Sequence, residues 1–525
     1  MLKRFLTREV QIGSTAIGGK NPIRLQTMLT VPVTETKAAF EQALGLIEKG
    51  AELLRLAIPG LNEARALEKL KNLFLQKKIK VPLIADIHFF PKTALLAADF
   101  ADKIRINPGN FLDPRAVFQK KLYSKKEYGF ELERLEEGFC PLLAKLKKQK
   151  KALRLGVNHG SLSDRILSRF GNTVEGMLAS AFEYAEIARK HHFHDLVFSL
   201  KASSPLLMIK ANLELVRVMQ KKDWDYPVHL GVTEAGEGKT GRVKSALGIG
   251  FLLFEGIGDT IRLSLTEDPQ NELLPARILR DFTQKKSVRS RLAEELKRPK
   301  RFSSSGIILS LNQKELKTLT PKQLERTDFV FCPSPNPRLK KKHPDGSFLN
   351  SKLTPLIKAK TLSFQAVRPL KFQGSQEKIL LEASAFVGVL LVKGLISRIC
   401  LKVPLAINEK LELSENLLQA AQKKVFKTEF ISCPGCGRTL FDLSFLTREI
   451  KAKTAHLPGL KIAVMGCVVN GPGEMGEADF GVIGAAPDEV HLYRGQTCVQ
   501  KKIKTAAAAD ALIELIKTDG LWQDF

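Results

Sequence analysis

Apolar and polar positions alternate with two periods along the first half of the chain. Short apolar runs at residues 23–28, 53–57, 82–88, 103–107, 153–158, 196–201, 228–233 and 261–265 read as strands. Between them, residues 35–49, 62–76, 173–190, 210–220 and 242–254 carry apolar positions at helical spacing. Eight runs interleaved with helices predict an α/β fold whose N-terminal part, residues 1–283, is a (β/α)8 TIM barrel. A doubly wound open sheet is the alternative, but no G-x-G-x-x-G follows the first run. The helix-like segment 121–151 is longer and more charged than a barrel helix needs and reads as a peripheral excursion.

The runs end alike. Polar side chains sit in or just after them: Gln26, Arg55, Asp86 with His88, Arg105 with Asn107, Arg154 with Asn158, Ser199 with Lys201, His229 followed by Glu234, and Arg262. Several are an even number of residues apart and so share one face of their strand. In a barrel the C-terminal strand ends converge on one mouth, which would bring Arg55, Arg105, Arg154 and Lys201 to one pocket. A single strand-end arginine commonly serves a salt bridge. Four cations together need an anion among them, and guanidinium geometry favours phosphate. Asp86 suits pairing with one of these arginines. Glu234 lies in Thr233-Glu234-Ala235-Gly236-Glu237-Gly238, a loop with little folding need for an acid, and is a candidate general acid/base.

Composition shifts near residue 282. Residues 285–305 are basic and polar and read as a linker. Runs at 306–311, 328–332, 378–393, 397–403 and 411–424 then predict a second α/β unit. This stretch, 284–425 with the linker, shows no clustered chemistry and reads as a structural spacer. Cys332 and Cys400, like Cys140 and Cys498, stand alone and read as small buried apolar side chains. Residues 426–525 form strand–loop–helix units that end in an amphipathic helix at 506–517.

The last unit holds the densest chemistry. Cys433-Pro434-Gly435-Cys436-Gly437-Arg438 sets two cysteines on one tight turn, and Gly466-Cys467-Val468-Val469-Asn470-Gly471-Pro472-Gly473-Glu474 adds a third. Pro434 and Gly435 supply the turn, and glycine leaves room for inorganic sulfide beside the backbone. A structural zinc site wants four closed N/S ligands, whereas the second half offers one cysteine. Three thiolates suit a 4Fe-4S cluster with one open iron, for which Glu474 is the nearest further ligand. Spacing alone leaves cluster and zinc both open, with a redox disulfide behind them.

Charge changes the picture of partners. A net charge of +28 points to anionic ones. Nucleic acid is the first guess, yet 5 Tyr and 2 Trp leave few stacking platforms. Lysine runs at 147–151 and 340–343 suit solvated loops and helix ends. A phosphorylated substrate or an acidic redox partner explains the basic surface equally well. No apolar run reaches the length of a membrane span, and the first ten residues are too poor in apolar length for a signal peptide. With 7 cysteines, an odd number, a disulfide framework is not expected, and a reducing cytoplasm is.

The motifs resemble those of the 4-hydroxy-3-methylbut-2-enyl diphosphate synthases of the methylerythritol phosphate route to isoprenoids. The resemblance rests on the two cysteine motifs and on Ala85-Asp86-Ile87-His88-Phe89, Arg105-Ile106-Asn107-Pro108-Gly109-Asn110, Gly156-Val157-Asn158, Lys201-Ala202-Ser203, Leu230-Gly231-Val232-Thr233-Glu234-Ala235-Gly236 and Glu255-Gly256-Ile257-Gly258-Asp259-Thr260. It covers nearly all of 1–283 and 426–525, and the segment between resembles the long three-domain form, with a degenerate barrel-like insert. The resemblance implies a C-terminal α+β cluster domain similar to that of sulfite and nitrite reductases. It implies Cys433, Cys436, Cys467 and Glu474 as ligands of a 4Fe-4S cluster. It also implies Arg55, Asp86, His88, Arg105, Asn107, Arg154, Asn158, Lys201, Ser203, His229 and Arg262 around a cyclic diphosphate, and Glu234 as the acid/base. Ferredoxin or flavodoxin would be the electron donor. The family's two-domain form closes barrel over cluster across a homodimer. The middle unit here leaves closure within one chain as the competing expectation. A basic, cluster-containing RNA-binding or RNA-modifying protein is the rival from another class, and a zinc-ribbon adaptor the second.

Overall fold

The computed structural model describes residues 4–114, 116, 123–297, 306–310, 315, 318–327, 329–331, 370–469 and 471–524. Eight strands build the first sheet: β1 (Arg24–Met28), β2 (Leu53–Ala57), β3 (Leu83–Ile87), β4 (Lys103–Ile106), β5 (Ala152–Asn158), β6 (Leu196–Lys201), β7 (His229–Leu230) and β8 (Thr260–Ile261). All pairings are parallel, in the order β6-β5-β4-β3-β2-β1-β8-β7. A parallel bridge from Phe198 on β6 to Val228, next to β7, closes the ring. The expected TIM barrel is present. Its strands are near-continuously buried, as a parallel wall covered by helices requires. β7 and β8 are shorter than the apolar runs suggest. Beyond Leu230 and Ile261 the chain leaves the ladder for loops that present Thr233, Glu234 and Ser264 to a cavity. An N-terminal hairpin, Val10–Ile12 with Thr15–Ile17, plugs the opposite end by packing on Leu53, Ile84, Ala152 and Val197.

Three expectations need correction. Segment 121–151 is no excursion: its described part holds helix Lys125–Gln149, started by a Ser124–Glu127 capping box, which buries Leu135, Phe139, Leu142 and Leu146 in the barrel core. The stretch read as a linker from 285 begins with helix Lys286–Leu296. There Arg289 donates to the carbonyls of Leu253 (2.6 Å) and Phe254 (3.3 Å) at the end of a barrel helix, and Leu292 is buried. Cys332 lies outside the described residues; Cys400 is buried, whereas Cys140 and Cys498 are only half-buried.

The middle unit contributes parallel strands β9 (Gly306–Ser310), β10 (Phe329–Phe331), β11 (Leu370–Lys371) and β12 (Arg398–Lys402), in the order β10-β9-β12-β11. Its helix Gln376–Val392 lies against barrel helix Gly238–Phe254, and both are buried nearly all round. A helix of that kind has to be covered on every side. Small residues let the two backbones meet: a Cβ on Gly250 would lie 2.6 Å from Ala385 Cβ, and one on Gly388 would lie 2.8 Å from Leu247 Cγ.

The C-terminal sheet runs β13 (Glu429–Ser432), β14 (Lys461–Met465), β15 (Phe480–Ala486), β16 (Glu489–Arg494), β17 (Thr497–Lys504), parallel over the first three strands and antiparallel after them. Helices Leu443–Thr454 and Thr505–Thr518 cover it through Leu446, Ile450, Leu512 and Ile516.

Candidate functional site

One cavity lies between the barrel mouth and the C-terminal sheet, inside a single chain. Arg55, Arg105, Arg154, Asn158, Lys201, Glu234 and Arg262 line it from the barrel, and Cys433, Cys436, Arg438, Thr439 and Cys467 from the other side. Strand register places the cations. Arg105 pairs with Arg154 across β4 and β5, and Asp86 with Arg105 across β3 and β4. Asp86 accepts from Arg105 Nη1 (2.6 Å) and Arg55 Nη2 (2.8 Å). Arg262 pairs with Glu272 (3.0 Å), whereas Arg154 donates to a neutral partner, Gln26 Oε1, at 3.1 Å.

Positive charge is therefore in excess. Burial, opposed by Asp86 and reinforced by Arg105 and Arg262, pushes Arg55 down to about 10. Burial followed by neighbouring arginines pushes Arg154 and Lys201 well down. An anion among them would relieve that repulsion. Asp86 stays well below the usual carboxylate range: burial raises it, but Arg105 and Arg55 outweigh that. Burial takes His88 down to about 3, so its imidazole is neutral. Its Nε2 lies 2.7 Å from Arg105 Nη1, and since arginine can only donate, Nε2 accepts.

The other predicted residues lie in the walls rather than the lining. Asn107 caps helix Pro108–Phe111 through Gly109 N and donates to Ser161 Oγ at 2.7 Å. His229 is fully buried with Nδ1 at 2.7 Å from Thr260 Oγ1. Ser203 donates to Glu477 Oε2 at 2.9 Å. Asp86 and His88 stand behind Arg105. Glu474 is 1% exposed, and burial, then Glu234 and Glu477, push its carboxyl well up. Its Oε1 has no hydrogen-bond partner among the described residues.

Glu234 holds φ at +47°, in the region that favours glycine, at a cost of about 1–3 kcal/mol. The strain persists because Ala235 is bridged to Ser432 of β13 and Thr266 Oγ1 donates to the Ser432 carbonyl at 3.1 Å. The Gly-Pro-Gly loop has a similar cause. A Cβ on Gly473 would sit 1.2 Å from the Gly160 carbonyl oxygen, so the loop seats on the barrel backbone only as glycine.

The cysteines fit a metal group. Gly466 N–H donates to Cys433 Sγ at 3.2 Å, and Arg438 Nε to Cys436 Sγ at 3.1 Å. Burial pushes the Cys433 and Cys467 thiols up, so their thiolates need a cation beside them. The three sulfurs are not all within 4.8 Å of one another, a spread wider than a single ion takes. Arg438 then joins the two halves, its Nη2 lying 3.4 Å from Asp86 Oδ2. In the sequence Arg438 stands only as the end of the first cysteine motif. Its place two residues after Cys436 was the available signal. Glu477 and His159, which pair at 2.7 Å across the same junction, gave none.

A family model described as the GcpE TIM-barrel domain matches residues 7–277, and the GcpE protein C-terminal domain matches 429–518. The chain belongs to the GcpE family. It is 37% identical to 4-hydroxy-3-methylbut-2-en-1-yl diphosphate synthase (flavodoxin) of Protochlamydia amoebophila, over 99% of this chain and 97% of that one. To the chloroplastic ferredoxin-type synthase of Oryza sativa it is 36% identical over 99% and 88%. To the flavodoxin-type synthase of Chlamydia pneumoniae it is 38% identical over 99% and 97%. These relatives span the middle unit, which both family models leave out. Family membership makes the chain an oxidoreductase. It gives no support to an RNA-binding role, and the mouth cations are buried in the cavity. No helix among the described residues is long and apolar enough to cross a membrane.

Proposed function

We propose that this chain is a 4-hydroxy-3-methylbut-2-enyl diphosphate synthase that opens the ring of 2-C-methyl-D-erythritol 2,4-cyclodiphosphate. In the same reaction it removes a hydroxyl, using two electrons, to make an isoprenoid precursor. The observation that carries this reading is the single cavity lined by buried cations on one side and three cysteines on the other. Arg55, Arg105, Arg154, Lys201 and Arg262 hold the diphosphate and offset the charge that develops on it as the ring C–O bond breaks. Neutral His88 and the Asp86 carboxylate keep Arg105 and Arg55 aimed, with Asn158 in the lining and Asn107, Ser203 and His229 in the walls behind it. Glu234, facing the cavity from a strained loop, delivers the proton with which the hydroxyl leaves as water. Cys433, Cys436 and Cys467, with Glu474 as the further ligand that the family resemblance implies, are the residues that would hold a 4Fe-4S cluster. When bound, the cluster supplies single electrons and a Lewis-acidic iron. Arg438 orients Cys436 and ties it to Asp86.

Units 1–283, 284–425 and 426–525 act as substrate barrel, spacer and cluster domain, and one chain closes on itself. Ferredoxin or flavodoxin donates electrons in the cytoplasm, drawn by the basic surface. Anaerobic purification tests the reading. A brown protein with about four irons and four sulfides, whose reduced spin signal changes with the cyclic diphosphate, is expected. A colourless zinc protein would overturn it. Mixing Glu234→Ala and Cys467→Ala chains tests closure: no recovery of activity is expected, and recovery would mean catalysis across two chains.

A further inference from the structure

Away from the cavity, three donor atoms of different chemistry converge on the barrel's outer helices. Glu136 and Cys140 lie one turn apart on helix Lys125–Gln149, and His191 is the C-cap of helix Val174–Lys190. Cys140 Sγ lies 3.2 Å from His191 Nε2, and the same Nε2 lies 2.7 Å from Glu136 Oε1. Among the described residues, no other three His, Cys, Asp or Glu side chains bring their donor atoms within 4.8 Å of one another.

The arrangement excludes a nucleophilic relay. A thiol–imidazole–carboxylate relay needs its outer members on opposite ring nitrogens, and here both face Nε2. Donors gathered about one point instead have the disposition of ligands about a cation. Outer contacts already hold them: Lys190 Nζ takes the second oxygen of Glu136 at 2.7 Å, and Lys147 Nζ donates to the His191 carbonyl at 3.4 Å. All three donors are half-buried, so an ion can reach them. The helix is also weak at this point. Pro141, next to Cys140, removes a main-chain hydrogen bond from the helix interior.

We propose that Glu136, Cys140 and His191 bind a borderline divalent cation of the zinc class and clip helix Lys125–Gln149 to the end of helix Val174–Lys190. Thiolate, imidazole and carboxylate select zinc over magnesium or calcium, and three protein ligands leave a fourth position for water. On binding, the Cys140 S–H bond breaks, a Zn–S bond forms and the proton passes to solvent, with no change of oxidation state.

The test uses the holoenzyme and reads Cys140 on its own peptide. Alkylation of Cys140 should slow about tenfold or more with Zn2+ and not with Mg2+, because a metal-bound thiolate is a poor nucleophile. Zinc retained after desalting should fall by one equivalent in both Cys140→Ser and His191→Ala. Equal alkylation with and without Zn2+, or equal zinc in wild type and both variants, would overturn the proposal. If a variant fails to fold, the alkylation of the unaltered protein still decides.

Discussion

The barrel meets its two neighbours in opposite ways. Against the middle unit it packs mainly apolar helix surface, with Gly250 and Gly388 allowing near-backbone contact and ion pairs Arg242–Glu377, Lys239–Glu412 and Lys393–Glu255 beside it. Against the C-terminal domain it uses polar contacts: Arg438 to Asp86, His159 and Ser203 to Glu477, Thr266 to Ser432, and Lys244 to Glu429 at 2.8 Å. An apolar contact of the first kind opens only by exposing core, so the middle unit behaves as part of the barrel. A hydrogen-bonded contact around a cavity can exchange its partners for water, which is what substrate entry needs. The apolar joint should therefore outlast the polar one when the molecule opens.

Substitutions can break that contrast. The largest effect is expected from Glu234→Gln at the polar joint: kcat falls about 10²–10⁴-fold while thermal unfolding is unchanged, read by steady-state kinetics beside a melt. Gly473→Ala comes next. Its methyl cannot coexist with the Gly160 carbonyl, so the loop seats wrongly and activity falls about 10²-fold, with the barrel's own unfolding unaffected. Gly388→Leu strikes the apolar joint instead. It should cost about 1–3 kcal/mol of stability and leave turnover per folded molecule intact. If it lost turnover and kept its stability, the contrast would fail.

The smallest effect is a pH slope. His88 titrates near 3 when folded, against 6.5 when free, so below pH 6.5 the unfolded chain binds the extra proton. Stability contributed by neutral His88 is complete above 6.5 and is lost as pH falls from there toward 3, by at most about 1.4 kcal/mol per pH unit for one proton. Denaturant titrations at stepped pH should show this slope, and His88→Gln should flatten it.

Much of the site was legible because its signals are local. Arg105 and Arg154 stand within apolar runs, and the cysteines are close in sequence, so spacing alone marked them. Glu477, His159 and the Cys140–His191 pairing were not legible. Each depends on residues far apart in sequence whose neighbourhood no periodicity encodes. The linker reading failed for a related reason. Helix Lys286–Leu296 has little apolar signal, with Leu292 its only fully buried side chain, and it is held through Arg289 capping the end of a barrel helix.

The sequence by itself determined the order of the barrel strands, the face each strand-end cation would share, and a three-cysteine set, since side-chain period and ligand spacing are properties of contiguous residues. Only the tertiary structure decided which cations are paired and which are in excess, that Glu474 lies in a wall beside Gly160, and that mouth and cysteines enclose one cavity in a single chain. Those outcomes follow from how elements distant in the chain pack and from what their burial does to charge.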